Sequence, residues 1–557
     1  MYLGIDVGGT HTDAVVLSDG AIVAQAKVVT DHDNLLASVR AALAAVLEEV
    51  DPARVSRFNL STTLSTNSIV EGKTEDVGVF VAPGPGIDTE NFRIGGYFYI
   101  LPGSVDHRGK EIQELGLDDL EDGAARCRAA GVRVFASVGK FSTRNPAHEN
   151  RVAEALAAQA DHVTLGHRLS GMLNFPRRVS TAYYNAAVWR TYNVFADAVE
   201  QAVAFHGLTC PCNILKADGG TMPLPVSRQT PVESILSGPA ASVMGIIALC
   251  SIHEDCVILD IGGTTTDIAV FASGTPLLER DGIDVGSYPT LVRALKTVSI
   301  GIGGDSHLHV VSGEVRVGPE RRGLAMALGG AEPTLIDAVN HLDITDVGDK
   351  AASSRGIERL AALWDMFPDK LARAAVDFAV ERIKGAVDDM VWDVNEKPVY
   401  TIIELLQGKK IEPQKIYLMG GPAKAFQGLL AEALGRTVVV PKEYAVANAI
   451  GAALTRTTCE VELFADTQKR SLFIPTLGIQ VPIEQNYKLP QAEEDARRYL
   501  REHLESLGAA DECAELDIVE ASSFNMVGNM GTQGRNIRVK CQIRPGILAK
   551  ATRDSDA

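Results

Sequence analysis

No stretch of this 557-residue chain is apolar for long enough to cross a bilayer. The longest candidate, Ala240 to Ile252, falls short of the ~20 residues a spanning helix needs. Ser242, Gly245 and Ser251 also interrupt it. The opening residues MYLGIDVGGT have neither a basic stretch nor a long apolar core, so no secretory leader is expected there. Cysteine is scarce, with eight residues at irregular spacing: Cys127, Cys210, Cys212, Cys250, Cys256, Cys459, Cys513 and Cys541. That usage fits a reducing compartment rather than a disulfide framework, and Cys210-Pro211-Cys212 has too few partners for zinc. Strongly basic patches are missing as well. Lys and Arg number 53 against 71 Asp and Glu, a net charge of −18, and the runs Arg321–Gly323 and Gly408–Lys410 are short and isolated. So acidic a surface repels nucleic-acid phosphates and anionic headgroups, so neither nucleic acid nor a membrane is expected as a partner. The expectation is a cytoplasmic, acidic, multidomain protein.

What is present is ample core material and a repeat. Hydrophobic residues make up 46% of the chain, and its length predicts about three or four folding units. Residues Asp6–Asp13 read DVGGTHTD and Asp260–Asp267 read DIGGTTTD, both fitting D-[VI]-G-G-T-x-T-D. A short apolar run precedes each copy (Tyr2–Ile5, Cys256–Leu259) and another follows (Ala14–Leu17, Ile268–Phe271). The pattern predicts strand, Gly-Gly turn, strand, turn, strand, with no helix directly after the glycines. A dinucleotide fingerprint or a P-loop would need that helix.

Glycines let backbone N–H groups approach an anion, and Thr10, Thr12, Thr264 and Thr266 can add hydroxyl donors. A carboxylate at the mouth of such a loop would repel phosphate directly, so Asp6 and Asp260 are expected to hold a hydrated Mg²⁺. Asp13 and Asp267 end their octets, where they can orient a water or a substrate oxygen or serve as strand-end structure. His11 lies inside the first turn, to contact phosphate or substrate or simply to be satisfied within the loop.

Two more glycine turns follow apolar runs, VSIGIGGD at Val298–Asp305 and IYLMGGP at Ile416–Pro422. The second comes after a helical stretch, Leu371–Met390, and before an amphipathic helix, Ala423–Leu434, ended by Gly435. A strand at Val438–Val440 and a tightly packed helix at Ala445–Leu454 come next. Thr181–Phe205 reads as a long helix whose aromatic residues pack in the core. Ser237 and Pro239 are expected to cap and start the Ala240–Ile252 helix, not to supply a nucleophile. If Asp305, His307 and His309 lie in one strand they share a face, as either a metal cluster or a solvated surface. Past about Thr458 a charged helix, Ala492–Leu507, and an alternating strand, Ile537–Ile543, predict an α+β appendage.

The paired octets and the MGGP turn resemble the ATPase fold shared by actin, sugar kinases and heat-shock chaperones. Within it, the chain is similar to the hydantoinase A/oxoprolinase family. The segments that carry this are IDVGGTHTD, STTLSTNSIVEG at Ser61–Gly72, NPAHE at Asn145–Glu149 and RRVSTAYYNA at Arg177–Ala186. DGG at Asp218–Gly220, PVESILSGPAAS at Pro231–Ser242, LDIGGTTTDIAV at Leu259–Val270 and IGIGGDS at Ile300–Ser306 follow in register. VGPE at Val317–Glu320 and PTLIDA at Pro333–Ala338 complete a likeness covering roughly residues 1–455. The chain departs from the family in three places. Ser61-Thr62-Thr63 stands where HGTT is usual, Asp305 stands where a small residue is usual, and RRGLAMALGG shortens the stretch after VGPE.

The resemblance implies an α/β protein with duplicated ribonuclease-H-like ATPase domains and a small C-terminal α+β appendage. Its units would be residues 1–175 with the first hairpin, 176–457 with the second hairpin and the adenosine turn, and 458–557. The cofactors implied are ATP and Mg²⁺, the metal held by Asp6 and Asp260. Asp6, Asp260, Asp267 and Asp13 form the expected catalytic set. Nucleotide contacts are expected from Gly8, Gly9, Thr10, His11 and Thr12, and from Gly262, Gly263, Thr264, Thr265 and Thr266. Gly303, Gly304 and Asp305 join them, with Gly420 and Gly421 on the adenosine. The activity implied is ATP-dependent hydrolysis of a cyclic amide or imide, by phosphoryl transfer to a carbonyl oxygen. A hydantoinase B-type second subunit is the implied partner, and a homo-oligomer is compatible. An ATPase subunit of a ketone carboxylase, an ATP-driven activator of a partner protein and a small-molecule kinase are the competing readings.

Overall fold

Each octet forms the turn of an antiparallel hairpin. Tyr2–Val7 pairs with His11–Ser18, and Cys256–Ile261 pairs with Thr266–Ala272. The register sets Asp6 opposite Asp13 and Asp260 opposite Asp267. The computed structural model describes residues 1–551 except 32–33, 280, 397–409, 511, 513–515 and 529–530. Cys513 and most of the Gly408–Lys410 run therefore lie outside the described residues.

Both hairpins are extended in the same way. In the first sheet the strand order is Thr221–Pro223, Cys212–Leu215, Arg57–Thr62, Tyr2–Val7, His11–Ser18, Ala21–Val29. In the second it is Thr275–Pro276, Thr266–Ala272, Cys256–Ile261, Lys415–Met419, Thr437–Val439, with Thr297–Ile300 also on Thr266–Ala272. Each first hairpin strand has a parallel neighbour on its other side, Arg57–Thr62 or Lys415–Met419. The strand Cys256–Ile261 is buried along its length, which is why Cys256–Leu259 reads as a continuous apolar run instead of an alternating one.

A third sheet of four parallel strands, His162–Leu165, Val134–Gly139, Val77–Ala82 and Tyr97–Ile100, stands beside the first. The helix Phe175–Phe205 serves both. Its early residues Val179, Ala182 and Ala186 pack with the parallel sheet, and its later residues Tyr192, Phe195 and Val199 pack with the first hairpin sheet. Sheet membership thus does not follow the expected division at residue 175, because Cys212–Leu215 and Thr221–Pro223 return to the N-terminal sheet. The last sheet is antiparallel and runs from Glu460 to Ile543. The helix Leu489–Ser506 covers it through Ala492, Ala496, Leu500 and Leu504.

Two small-residue helices join the hairpin sheets. A Cβ on Gly4 would lie 2.2 Å from the Ala449 carbonyl oxygen, one on Gly451 would lie 2.2 Å from that of Ala241, and one on Gly245 would lie 2.1 Å from that of Ala447. Helices Ser237–Leu249 and Ala447–Leu454 therefore cross backbone to backbone, with the first hairpin sheet against the latter. The former packs Ala240, Val243 and Ile246 against Cys256 and Ile258 of the second. Ser237 does not cap its helix as expected. The Ncap residue is Leu236, and Ser237 Oγ instead donates to the Thr62 carbonyl at 2.9 Å, pinning the helix to the first sheet.

Candidate active site

The two octet turns face each other. A Cβ on Gly263 would stand 2.4 Å from Thr10 Oγ1, and one on Gly9 would stand 3.7 Å from Thr264 Oγ1. Gly8 N–H closes the first turn on the His11 carbonyl at 3.1 Å, and Gly262 N–H closes the second on the Thr265 carbonyl at 2.9 Å. The Val298–Asp305 turn lies against the second hairpin. Gly304 and Asp305 donate their N–H groups to the Gly262 and Gly263 carbonyls, at 2.9 and 2.7 Å. A Cβ on Gly303 would fall 2.6 Å from the Gly263 carbonyl carbon, so this glycine is required by close approach.

Thr10, Thr264 and Thr265 stay partly open to solvent at the turns. Thr12 and Thr266 differ from the expectation that they donate outward. Both are fully buried, with Thr12 Oγ1 3.1 Å from Thr30 Oγ1 and Thr266 Oγ1 donating to the Ile302 carbonyl at 2.7 Å. Strand alternation turns their side chains away from the cleft, where they brace the hairpins.

Asp6 and Asp260 are 5% and 7% exposed. Asp260 Oδ2 accepts from Ser242 Oγ at 2.6 Å and from Asn448 Nδ2 at 3.0 Å, while Asp6 Oδ1 has no hydrogen-bond partner. Burial pushes the Asp6 carboxyl up to about 7. The Asp13 and Asp260 charges add to that rise, and hydrogen bonding from Ser61 and Asn448 opposes it. Asp267 is likewise raised to about 7, by loss of hydration first and by Asp260 and Asp6 after it. Burial raises Asp13 too, against the pull of Lys27, whose Nζ sits 2.6 and 2.8 Å from its two oxygens. Carboxylates held together at this cost, one with an orphaned buried oxygen, suit a site that receives positive charge. The hard oxygen donors of Asp6 and Asp260 fit Mg²⁺ that retains waters and phosphate ligands.

The Ile416–Pro422 turn adjoins the same place. Gly420 adopts φ +92°, and a Cβ there would meet the Ile261 carbonyl oxygen at 2.2 Å and Asp260 Oδ1 at 2.5 Å. Gly421 is exposed with open space around it. Asp305, His307 and His309 do not come together as a metal cluster. The two histidine rings stack with centroids 6.1 Å apart, and His307 Nδ1 lies 3.3 Å from Glu332 Oε2 without hydrogen-bond alignment. Asp305 belongs instead to the turn under the second hairpin, with Oδ2 3.4 Å from Arg321 Nη2. No group of three His, Cys, Asp or Glu side chains among the described residues forms a metal cage.

Residues 178–461 match the hydantoinase/oxoprolinase family, and residues 2–160 match the hydantoinase/oxoprolinase N-terminal region. The chain belongs to the hydantoinase/oxoprolinase family. Caprolactamase subunit alpha of Pseudomonas jessenii is 27% identical over 481 residues, 79% of this chain and 68% of that one. The acetophenone carboxylase gamma subunit of Aromatoleum aromaticum is 24% identical over 385 residues, 60% of this chain and 52% of that one. The nucleotide-free structure of acetone carboxylase superposes with a TM-score of 0.71 at 17% identity, covering 100% of this chain and 89% of that one. That likeness establishes the fold.

In this hydantoinase/oxoprolinase chain the site includes side chains that sequence reading missed. Ser61, Ser242 and Asn448 contact the paired aspartates, and Lys27 and Arg321 bring positive charge beside the turns. Ser242 and Asn448 had no local signal, being small or amide residues inside apolar helices, and Arg321 was visible only as part of a short basic run. A separate cavity of about 500 Å³ is lined by Lys216, Asp218, Glu233, Arg293, Glu460 and Lys540 among others, and by none of the hairpin residues. Among the described residues no helix is long and apolar enough to cross a membrane.

Proposed function

We propose that this chain is the ATP-using component of an enzyme that activates the carbonyl of a cyclic amide or imide. The observation that carries the reading is the pair of glycine turns in mutual contact above four electrostatically coupled aspartates. The turn N–H groups and the hydroxyls of Thr10, Thr264 and Thr265 would grip the β- and γ-phosphates from both sides, and Gly420 and Gly421 would receive the adenosine. Asp6 and Asp260 would hold Mg²⁺, which when bound neutralises charge on the transferring phosphate.

The remaining chemistry falls to the chain and the substrate. The carbonyl oxygen attacks the γ-phosphorus as its bond to ADP breaks. Water then adds to the activated carbon, the amide C–N bond opens to leave an amine and an acyl phosphate, and a second water hydrolyses that acyl phosphate to carboxylate and phosphate. Asp267, titrating near 7, can hold the proton that the attacking water releases. Ser242 and Asn448 orient Asp260. Because the two turns touch, entry of a triphosphate between them requires the halves to part, and reclosure would exclude bulk water. A second subunit completes the reaction in this reading, in keeping with a relative that is itself named as a subunit.

The test is a product assay with Mg-ATP and a panel of lactams, hydantoins and ketones. Phosphate release stimulated by cyclic amides, with no phosphorylated organic product accumulating, is expected. Stimulation by ketones with bicarbonate would favour ketone carboxylation, the chemistry named for the acetophenone and acetone relatives. A stable phosphorylated metabolite, or stimulation by a protein alone, would contradict the hydrolase reading.

A further inference from the structure

Arg321 stands where neither octet would put a charge. Its Nη2 lies 3.4 Å from Asp305 Oδ2, and that oxygen is 2.8 Å from where a Cβ would sit on Gly263, so the guanidinium is brought to the rim of the second turn. From the first turn, His11 feels the same group. Burial, Lys27 and Arg321 together hold its imidazole below the ordinary range. Asp305 is firmly placed by its N–H, which donates to the Gly263 carbonyl at 2.7 Å. Arg321 is less committed. It meets Asp305 only at the long end of ion-pair distance, and its buried Nε has no hydrogen-bond partner. A buried N–H without an acceptor is costly and calls for an explanation, such as a ligand that supplies one.

Three basic side chains flank the turns, and they are not equivalent. Lys27 is engaged by both oxygens of Asp13, and an imidazole such as that of His11 lacks a fork of parallel donors. Arg321 retains unused donors in the planar fork that matches phosphoryl oxygens.

We infer that Arg321 receives the terminal phosphoryl group of the nucleotide at the rim of the paired turns, and that Asp305 is the positioning residue that holds the guanidinium there beforehand. The inference rests on the nucleotide reading above. Charge placed on the equatorial oxygens favours phosphoryl transfer, because negative charge is spread over them in the transition state. It also distinguishes a triphosphate from a diphosphate, since only the former reaches the rim.

Calorimetric titration of the full chain with Mg-ADP and with Mg-AMPPNP tests this. Arg321→Ala is expected to weaken AMPPNP by about 10- to 100-fold, the worth of charge-assisted hydrogen bonds, while leaving ADP affinity unchanged. Arg321→Lys should recover part of the loss, and guanidinium ion added to Arg321→Ala should restore part of the AMPPNP affinity. Asp305→Asn should alter the AMPPNP-to-ADP ratio when Arg321 is present and not in the Arg321→Ala background, a coupling that general destabilisation would not produce. Equal losses for both nucleotides, or no loss, would overturn the role of Arg321 and leave the nucleotide reading intact. Failure of the wild-type chain to bind either nucleotide would overturn both.

Discussion

At the scale of single residues, the site is defined by carboxylates kept out of water. Asp260→Ala is expected to abolish ATP turnover while circular dichroism and melting show a folded chain, because the proposed role of Asp260 is to hold the metal at the cleft. Wild-type turnover in that variant would count against the assignment. Asp267 makes a second prediction with a definite sign. Its folded-state pKa is about 7 against an ordinary 3.8, so the native state keeps a proton that the unfolded state loses between those values. Stability therefore falls as pH rises through that window. Asp267→Asn, which mimics the protonated form, should be more stable than wild type at pH 8 in metal-free, nucleotide-free protein. The gain is on the order of 1–4 kcal/mol and should shrink towards pH 5. A gain that is independent of pH would rule out the buried charge as its origin. Asp6, Asp13, Asp260 and Asp267 were all legible in the sequence because the octet repeats. Ser61, Ser242 and Asn448 were not, since Asn448 reaches Asp260 across 188 positions and no local pattern encodes that meeting. Thr12 and Thr266 were read with the wrong orientation, because an octet has no side until the strand alternation is known.

At the scale of elements, the hairpins and most helices were legible from apolar spacing and turn residues. Ala423–Leu434 ends at Gly435 with φ +61°, as the glycine predicts. Ser237 shows where such reasoning stops. A Ser-Gly-Pro string is a good helix start, yet the hydroxyl bonds another strand because the tertiary contact with Thr62 competes for it. The small-residue crossing of Ser237–Leu249 and Ala447–Leu454 leads to a third prediction. On an exposed helix Gly→Ala would stabilise by about 1 kcal/mol. At Gly451 the added Cβ would meet the Ala241 carbonyl oxygen at 2.2 Å and the Gly245 nitrogen at 2.5 Å, both backbone atoms. Gly451→Ala should therefore destabilise by about 1–3 kcal/mol, read as a lowered Tm. A raised Tm would mean the helices can part freely. Because this crossing links the two hairpin sheets, the same variant should also weaken nucleotide binding.

At the scale of the whole molecule, duplication is the organising fact. Two sheets built on the same hairpin and extended by the same parallel neighbour bring Asp6 and Asp260 into one electrostatic cluster. The repeat announced that pairing. It did not announce that Cys212–Leu215 and Thr221–Pro223 rejoin the N-terminal sheet, because short strands far along the chain have no local marker for the sheet they enter. Small-angle scattering should register the parting of the halves when a triphosphate enters, as a change in radius of gyration with Mg-AMPPNP that Asp6→Ala and Asp260→Ala both suppress. The decisive measurement is a crystal structure of the chain with Mg-AMPPNP. The triphosphate is expected between the turns of Thr10 and Thr264, with the metal beside Asp6 and Asp260 and the base at Gly420 and Gly421. A nucleotide seated elsewhere, for instance in the cavity lined by Lys216 and Arg293, with the two turns still in contact, would contradict the paired-turn mechanism.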